Sequence, residues 1–425
     1  MSELALLGGT PVRTAPYPAW PRYHPDDLKA VEAVLQSGRW GGNYTGDAGF
    51  IGDEVAQEFA AFHAARYGIP CMNGTIALEV ALAAAGIGYG DEVIVPAVTF
   101  VATATAVLFV DALPVFADVD PQTLCIAPES VEKNITSRTR AVMPVHLGGV
   151  MADLDALEEI CRKHNLLLIQ DAAHAHGCQW KGKGIGAYGD FACFSFQNLK
   201  LVTPGEGGMI LTNNQALMEA SRVYINCGRV HSSFEYAEPM IGGNLRLPEL
   251  QAALLKSQFS RYPAQMELRT KNAAILTGGF QQIDGITPVL GDERQTRVAY
   301  YRYGIHFESE DFAGISRETF LKAVQAEGIP LAPEGGQPVY RSPLFPWENS
   351  RWQRMYGERM DYSKLLTPVA EKATRDSACR LSHEVLLGDA EAMQDILTAI
   401  EKVHQNAAEL RSWVNPVAAQ VITRG

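Results

Sequence analysis

The feature that most constrains the fold is a regular alternation of short apolar runs and longer amphipathic stretches in the first half of the chain. Parallel strands need helical crossovers, so this alternation predicts an α/β fold, a mainly parallel sheet with helices on both faces. Ligands on such sheets bind at the carboxyl ends of the strands. The predicted strands span residues 93–96, 114–119, 141–146, 166–170, 191–196 and 208–212, and the predicted helices span residues 75–85, 153–164 and 215–225.

The second half of the chain predicts a smaller α+β domain. A long amphipathic stretch at 248–280, bent at Pro263, forms the bridge to it. We therefore expect a large domain over residues 1–262 and a small domain over residues 263–425, whose tail after Trp413 is loosely held. Within the small domain, the sequence predicts a strand at 300–307, helices at 316–327 and 389–407, and a Pro/Gly-rich loop at 329–346.

Composition excludes several classes of protein. The net charge of −12 and the lack of any Lys/Arg-rich run argue against a nucleic-acid partner. The uncharged stretch 93–110 reaches the length of a membrane span, but Pro96 and several threonines favour a strand, a turn and a buried helix. Seven cysteines without a CxxC pair, and an N-terminus without a signal-peptide pattern, predict a cytoplasmic protein with reduced thiols and no membrane partner.

Two residues that carry chemistry follow predicted strands. Asp171 comes directly after 166–170, and Lys200 follows 191–196, shortly before a glycine-rich turn at 205–208. A buried carboxylate and a desolvated lysine are what a pyridoxal phosphate enzyme needs. The carboxylate keeps the pyridine nitrogen protonated, and the lysine forms the Schiff base. Separately, the lysine could be an ordinary surface residue and the aspartate a helix cap. Together they favour a cofactor site.

Further residues fit the same site. Gly74 and Thr75 open a predicted helix, whose free N–H groups attract phosphate, and Ser195 offers a second hydroxyl. Phe100 is placed to cover a ring by stacking, and His174 to reach the ring's phenolic oxygen or to support the carboxylate. Each has an ordinary alternative, namely a plain helix cap, a core aromatic residue or a packed histidine.

Two other kinds of site are disfavoured. The glycines at 205–208 lack the Lys-Ser/Thr ending of a nucleotide-binding P-loop. His146, His174 and His383 do not have the spacing of metal ligands, so we expect no metal.

As an ordered series, the motifs of this chain resemble the DegT/StrS-type sugar aminotransferases, which are fold-type I pyridoxal phosphate enzymes. Any one motif is a weak match, whereas the series in this order is highly specific and covers most of the chain. The matching motifs lie at residues 7–11, 37–40, 73–75, 96–100, 144–146, 170–177, 195–200, 205–208 and 243–246.

The resemblance implies a seven-stranded, mainly parallel sheet and a site with assigned roles. Lys200 would be the Schiff-base lysine and Asp171 the pyridinium partner. Asn244 would reach the phosphate of the partner subunit, so the working unit would be a homodimer with shared active sites. His174 stands where glutamine is more usual in the family. The cofactor-binding residues expected on this basis are Gly74, Thr75, Ile76, Phe100, Asp171, His174, Ser195, Lys200 and Asn244.

The resemblance also implies a reaction. The 170–177 and 195–208 motifs are closest to glutamine-dependent aminotransferases of keto-cyclitols, such as scyllo-inosose or 2-deoxy-scyllo-inosose, and to 3-amino-5-hydroxybenzoate synthases. Residues 7–11 and 338–344 favour the cyclitol or sugar branch. We expect pyridoxal phosphate-dependent transfer of an amino group from L-glutamine or L-glutamate to a keto-cyclitol or keto-sugar, in antibiotic or other secondary-metabolite biosynthesis.

Alternatives remain open at this point. One is a 3-amino-5-hydroxybenzoate synthase-like enzyme. Another is a sugar dehydratase, although such enzymes carry a histidine in place of Lys200. A third is a non-catalytic, cofactor-binding regulator or scaffold. Loops and the partner subunit determine acceptor specificity in a site of this kind. The candidate substrate-binding residues are Arg39, Trp40, Tyr44, His146, Tyr340, Arg341 and His383.

Overall fold

The computed structural model describes residues 3–230, 239–345 and 350–413. Its main element is a seven-stranded sheet of order β1-β9-β8-β5-β4-β2-β3, in which only β9 runs antiparallel to its neighbours. The predicted mainly parallel α/β sheet is therefore confirmed. The strands of this sheet are β1 Tyr67–Cys71, β2 Glu92–Pro96, β3 Leu113–Ala117, β4 Thr139–Val142, β5 Leu167–Asp171, β8 Phe191–Ser195 and β9 Gly208–Thr212, and two short strands, β6 Gln179–Trp180 and β7 Lys183–Gly184, lie between β5 and β8 in the chain.

Helices cover this sheet, and their bounds follow the apolar periodicity closely. The helix predicted at 215–225 is α7, and the one predicted at 153–164 begins one residue later because Asp153 is its N-cap. The helices of the first half are α1 Pro25–Ser37, α2 Ile51–Phe62, α3 Gly74–Ala84, α4 Ala102–Phe109, α5 Pro128–Lys133, α6 Leu154–His164 and α7 Gln215–Ile225.

The long predicted stretch at 248–280 is one helix, α8 Glu249–Phe280, which contains Pro263. Its second half packs with a four-stranded antiparallel sheet of order β10-β12-β14-β13 and forms a second apolar core. The remaining elements are β10 Ile286–Pro288, β11 Gln295–Arg297, β12 Arg302–Phe307, α9 Arg317–Ala326, β13 Ala332–Pro333, α10 Arg351–Tyr356, α11 Pro368–Lys372, β14 Ala378–Ser382 and α12 Ala390–Gln405.

The apolar side chains of the segment that follows β13 join the core of the large sheet. The apolar cluster of the seven strands also includes Val339, Tyr340, Tyr362 and Ala370. In the chain, these residues come after α8, whose second half belongs to the second core. The proposed division between residues 262 and 263 stays a prediction. The predicted tail beyond Trp413 lies outside the described residues.

Two further features bear on the sequence expectations. All seven cysteines carry free thiols. In the described part of the chain, no helix combines the length and apolar character needed to cross a membrane.

Candidate active site

A cavity of about 660 Å³ opens where the carboxyl ends of β1, β2, β4, β5 and β8 meet. This is the edge at which parallel sheets bind ligands. One further wall comes from residues 301–302, at the start of β12. Eight of the predicted site residues line this cavity, namely Gly74, Thr75, Ile76, Phe100, Asp171, His174, Ser195 and Lys200.

The N-terminus of α3 forms one end of the cavity. The Asn73 side chain accepts a hydrogen bond of 2.9 Å from the Ile76 N–H, which caps the helix. The first N–H groups of a helix have no intrahelical partner, so those of Gly74 and Thr75 remain for a ligand. A Cβ on Gly74 would lie 2.5 Å from the Cβ of Ser195. Only glycine at position 74 lets the N-terminus of α3 approach β8 so closely. The free N–H groups of this helix end, beside the Ser195 hydroxyl, form a site that fits a phosphate.

Asp171 is buried at the end of β5, and its carboxylate is held by two donors. The Thr103 hydroxyl donates to Oδ2 at 2.8 Å, and the Ala173 N–H donates to Oδ1 at 3.1 Å. Thr103 is in turn hydrogen bonded to the Thr99 hydroxyl at 2.7 Å. Burial raises the pKa of Asp171, while these donors and Lys200 oppose that rise. A cationic ring nitrogen facing this carboxylate would compensate its burial.

Lys200 lies in the turn after β8, where its N–H donates to the Gln197 carbonyl at 2.7 Å. Its Nζ lies 4.5 Å from the centroid of the Tyr301 ring. The pKa of Lys200 is lowered to about 7, mainly by desolvation, which Asp171 opposes and to which Arg302 adds. A substantial fraction of this amine is therefore unprotonated near neutral pH and can act as a nucleophile or a base.

His174 is a buried, neutral hydrogen-bond donor. Its Nδ1 accepts a hydrogen bond of 3.2 Å from the Gly148 N–H, so Nε2 carries the proton. Its ring stacks on Tyr301 with a centroid distance of 4.0 Å and an interplanar angle of 22°. Desolvation, with the nearby cations Lys200 and Arg302, holds the pKa of His174 well below its usual range.

Tyr301 and Arg302 form a wall of the cavity that was not predicted from the sequence. The Arg302 guanidinium pairs with Glu334, and Arg380 Nε lies 3.7 Å from the other oxygen of the same carboxylate. Two guanidinium groups share one carboxylate, so this wall carries excess positive charge. Its sequence signal was a Tyr-Tyr-Arg run at the start of a predicted strand. Thr103 was also missed, although threonines in the otherwise apolar helix α4 were an available signal.

Several predicted residues lie outside the cavity lining. Asn244, Trp40 and Tyr44 are exposed, and Arg39 Nη1 donates to the Gly49 carbonyl at 3.2 Å. The structure does not test their contacts with substrate or with a partner subunit, so these roles stay predictions.

Four more candidates are engaged with other protein groups. His146 is buried between Gln170 Oε1 at 3.1 Å and the Ala152 N–H at 3.1 Å. The Tyr340 hydroxyl and the Arg341 guanidinium both donate to Glu371, at 2.7 and 2.8 Å. None of these residues lines the cavity among the residues that the structure describes, and neither does His383. Their substrate contacts remain predictions.

The model of the DegT/DnrJ/EryC1/StrS aminotransferase family matches residues 21–401. The chain belongs to this family. It is 41% identical to a Streptoalloteichus tenebrarius protein with the provisional name L-glutamine:3-amino-2,3-dideoxy-scyllo-inosose aminotransferase, over 96% of this chain and 100% of that one. It is 39% identical to the L-glutamine:2-deoxy-scyllo-inosose aminotransferase of Micromonospora echinospora, over 97% and 100%.

Among solved structures, 3-amino-5-hydroxybenzoic acid synthase aligns with a TM-score of 0.80 at 32% identity, covering 93% of this chain and 100% of that one. The chain described in this structure is therefore an aminotransferase, and its cofactor is pyridoxal phosphate. The cavity fits that cofactor, since it combines a helix N-terminus, a buried carboxylate, a lysine of lowered pKa and an aromatic ring.

Proposed function

We propose that this enzyme transfers the amino group of L-glutamine, or of L-glutamate, to a keto-cyclitol. The observation that carries the reaction type is Lys200, whose buried amine lies with Asp171 in one cavity at the strand ends. The names of relatives at 41% and 39% identity over nearly the whole chain support the donor and the acceptor class. The alternatives are a keto-sugar acceptor or the reaction of the 3-amino-5-hydroxybenzoic acid synthase.

The cavity residues divide the binding of the cofactor among them. The N-terminus of α3, with Thr75 and Ser195, would receive the phosphate, and Asp171 would face the ring nitrogen. His174 would donate its Nε2–H to the ring oxygen, and Phe100 would cover one face. When bound, pyridoxal phosphate supplies an electron sink for the bond broken at the substrate Cα.

Lys200 moves the proton. Its free Nζ would take the proton from the donor Cα and later give a proton back, while bound pyridoxal phosphate would carry the amino group between donor and acceptor. With the keto acceptor, the same atom would move the proton in the opposite direction. A pKa of about 7 suits a group that must act as a base and as an acid near neutral pH.

Arg302 would bind the α-carboxylate of the donor. Apart from Lys200, it is the only cationic residue in the described cavity lining. Glu334 neutralises only one of the two guanidinium groups beside it, so the wall retains a charge for a second anion. A guanidinium recognises a carboxylate with paired N–H donors.

We further propose a homodimer in which Asn244 reaches the cofactor phosphate of the partner subunit. Two features support it: Asn244 is exposed, and Phe100 and Leu199 at the cavity are 70% and 58% exposed as apolar side chains. A role in antibiotic or other secondary-metabolite biosynthesis follows from the substrate class. The cytoplasmic location stays a prediction.

Half-reaction spectroscopy tests the proposal. The cofactor-loaded enzyme is mixed with L-glutamine, L-glutamate or another amino acid, and conversion of the cofactor to its pyridoxamine form is followed. The product is then mixed with 2-deoxy-scyllo-inosose, 3-amino-2,3-dideoxy-scyllo-inosose or nucleotide-linked keto-sugars. We expect L-glutamine to react fastest and a keto-cyclitol to restore the starting spectrum. Turnover of keto-sugars alone, or no half-reaction with any amino acid, would contradict the proposal.

A further inference from the structure

His383 lies just after β14, and only 2% of its side chain is exposed. Its Nε2 lies 3.1 Å from the carbonyl oxygen of Leu199, the residue directly before Lys200. Although predicted as a substrate contact, this histidine is directed to the backbone that carries the lysine.

A buried arginine determines which ring nitrogen of His383 carries the proton. Arg269, on α8, is fully buried, and its Nη2 lies 3.1 Å from His383 Nδ1. A guanidinium only donates hydrogen bonds, so Nδ1 is the acceptor and the proton lies on Nε2. Nε2–H therefore donates to the Leu199 carbonyl. Arg269 Nε also donates to the main-chain oxygen of His383 at 3.4 Å.

Protonation of His383 would disrupt this arrangement. An N–H on Nδ1 would point at the Arg269 guanidinium inside the protein. Desolvation first, and Arg269 second, lower the pKa of His383 to about 3. The other ionisable groups nearby include Glu384, whose carboxylate lies 3.9 Å from Nε2, as well as Lys200, the buried His176 and the Tyr301 phenol. The ring therefore stays a neutral donor across the working range of pH.

The ring of His383 makes a second contact that leads to the lysine. It stacks on Tyr301 with a centroid distance of 5.8 Å and an interplanar angle of 27°. The Nζ of Lys200 lies 4.5 Å from the centroid of that same Tyr301 ring. His383 thus contacts both the main-chain carbonyl before Lys200 and the aromatic surface next to its amine.

We propose that His383 is a positioning residue, which holds the Lys200 amine in its desolvated place through the Leu199 carbonyl and the Tyr301 ring. The importance of His383 for catalysis rests on the proposed role of Lys200. Its effect on the position of the Lys200 amine does not depend on bound cofactor. Loss of the Nε2 donor frees the lysine turn, and the amine moves toward water. A lysine in water regains its ordinary proton affinity.

The experiment measures Lys200 in the apoenzyme. Competitive acetylation over a range of pH, with mass mapping of the peptide that contains Lys200, gives the pH midpoint of its amine. The wild-type midpoint is expected near 7. His383→Met removes the donor but keeps an apolar side chain of similar size, and we expect the midpoint to rise by about one unit or more. His383→Gln retains an N–H donor and should restore the wild-type midpoint.

His63 provides the matched control. It is also fully buried and neutral, with Nδ1 2.8 Å from the Phe59 carbonyl oxygen and Nε2 accepting from the Gly177 N–H at 2.7 Å. His63→Met should lower thermal stability as His383→Met does, without moving the Lys200 midpoint.

Two results would overturn the inference. One is an unchanged Lys200 midpoint in folded His383→Met, and the other is an equal rise in His63→Met. If His383→Met does not fold, a wild-type midpoint in His383→Gln supports the inference, and a raised midpoint in that variant overturns it. Failure of the proposed function is visible separately, as reductive trapping of the cofactor at another lysine of the wild-type enzyme.

Discussion

The two walls of the cavity differ in chemistry and in origin. The cofactor wall, formed by Gly74, Thr75, Asp171, Ser195 and Lys200, lies at the carboxyl ends of the large sheet and combines a helix end, hydroxyls and one carboxylate. The charged wall, Tyr301 and Arg302 backed by Glu334 and Arg380, comes from the second sheet. With the roles proposed above, the cofactor would be bound by one part of the chain and the donor recognised by another.

The largest expected effect is on the cofactor wall. We predict that Asp171→Asn lowers kcat by about 10²–10³-fold, because an amide cannot stabilise a protonated ring nitrogen by charge. Single-turnover rates with L-glutamine measure this. Thr103→Val, which removes one donor to the same carboxylate, should show a smaller loss. A kcat within twofold of wild type in Asp171→Asn would show that Asp171 does not stabilise the ring nitrogen of the cofactor.

The next effect separates the two walls. Arg302→Gln should raise the KM for L-glutamine by about 10–100-fold, which corresponds to the loss of a hydrogen bond between charged groups. Its kcat and its affinity for the cofactor should change little. L-glutaminamide lacks the carboxylate, so its KM should not respond to the substitution. The same measurements on Arg341→Gln test Arg341, which was predicted from the sequence as a substrate-binding residue. If that variant, and not Arg302→Gln, raises the KM, the charged wall does not bind the donor.

A smaller effect concerns Lys200, which lies between the walls. Its pKa of about 7 in the folded apoenzyme is below the ordinary value of 10.5. Between these pH values the unfolded chain binds more protons at this site, so stability rises with pH across the window. The wild-type free energy of unfolding, minus that of Lys200→Met, should rise by up to about 1.4 kcal/mol per pH unit. Urea unfolding at pH 6–10 measures it, and a difference independent of pH would show that Lys200 is not desolvated.

The residues of the cofactor wall could be predicted from the sequence because each is marked by the pattern of its neighbours in the chain. Strand β9 and helix α7 have the predicted bounds, and Asp171 and Lys200 could be located by their places after apolar strands. Strand β1 escaped prediction because it contains Gly68 and Pro70, and it lies at the edge of its sheet, where proline is tolerated.

The charged wall could not be predicted in the same way. Tyr301 and Arg302 are about a hundred residues from Lys200 in the chain, and only the packing of the second sheet on the first brings them together. Tyr340 and His383, which were predicted as substrate contacts, are buried and hydrogen bonded to protein groups, and their contacts with substrate remain predictions. Residue type alone does not state which way a side chain faces.

Reductive trapping tests the central claim most directly. The cofactor-loaded enzyme is treated with sodium borohydride, digested and analysed by peptide mass mapping. We predict a single reduced cofactor adduct on Lys200, and no adduct in Lys200→Ala. An adduct on a different lysine, or none in the wild-type enzyme, would contradict the assignment of the buried amine on which the proposed mechanism depends.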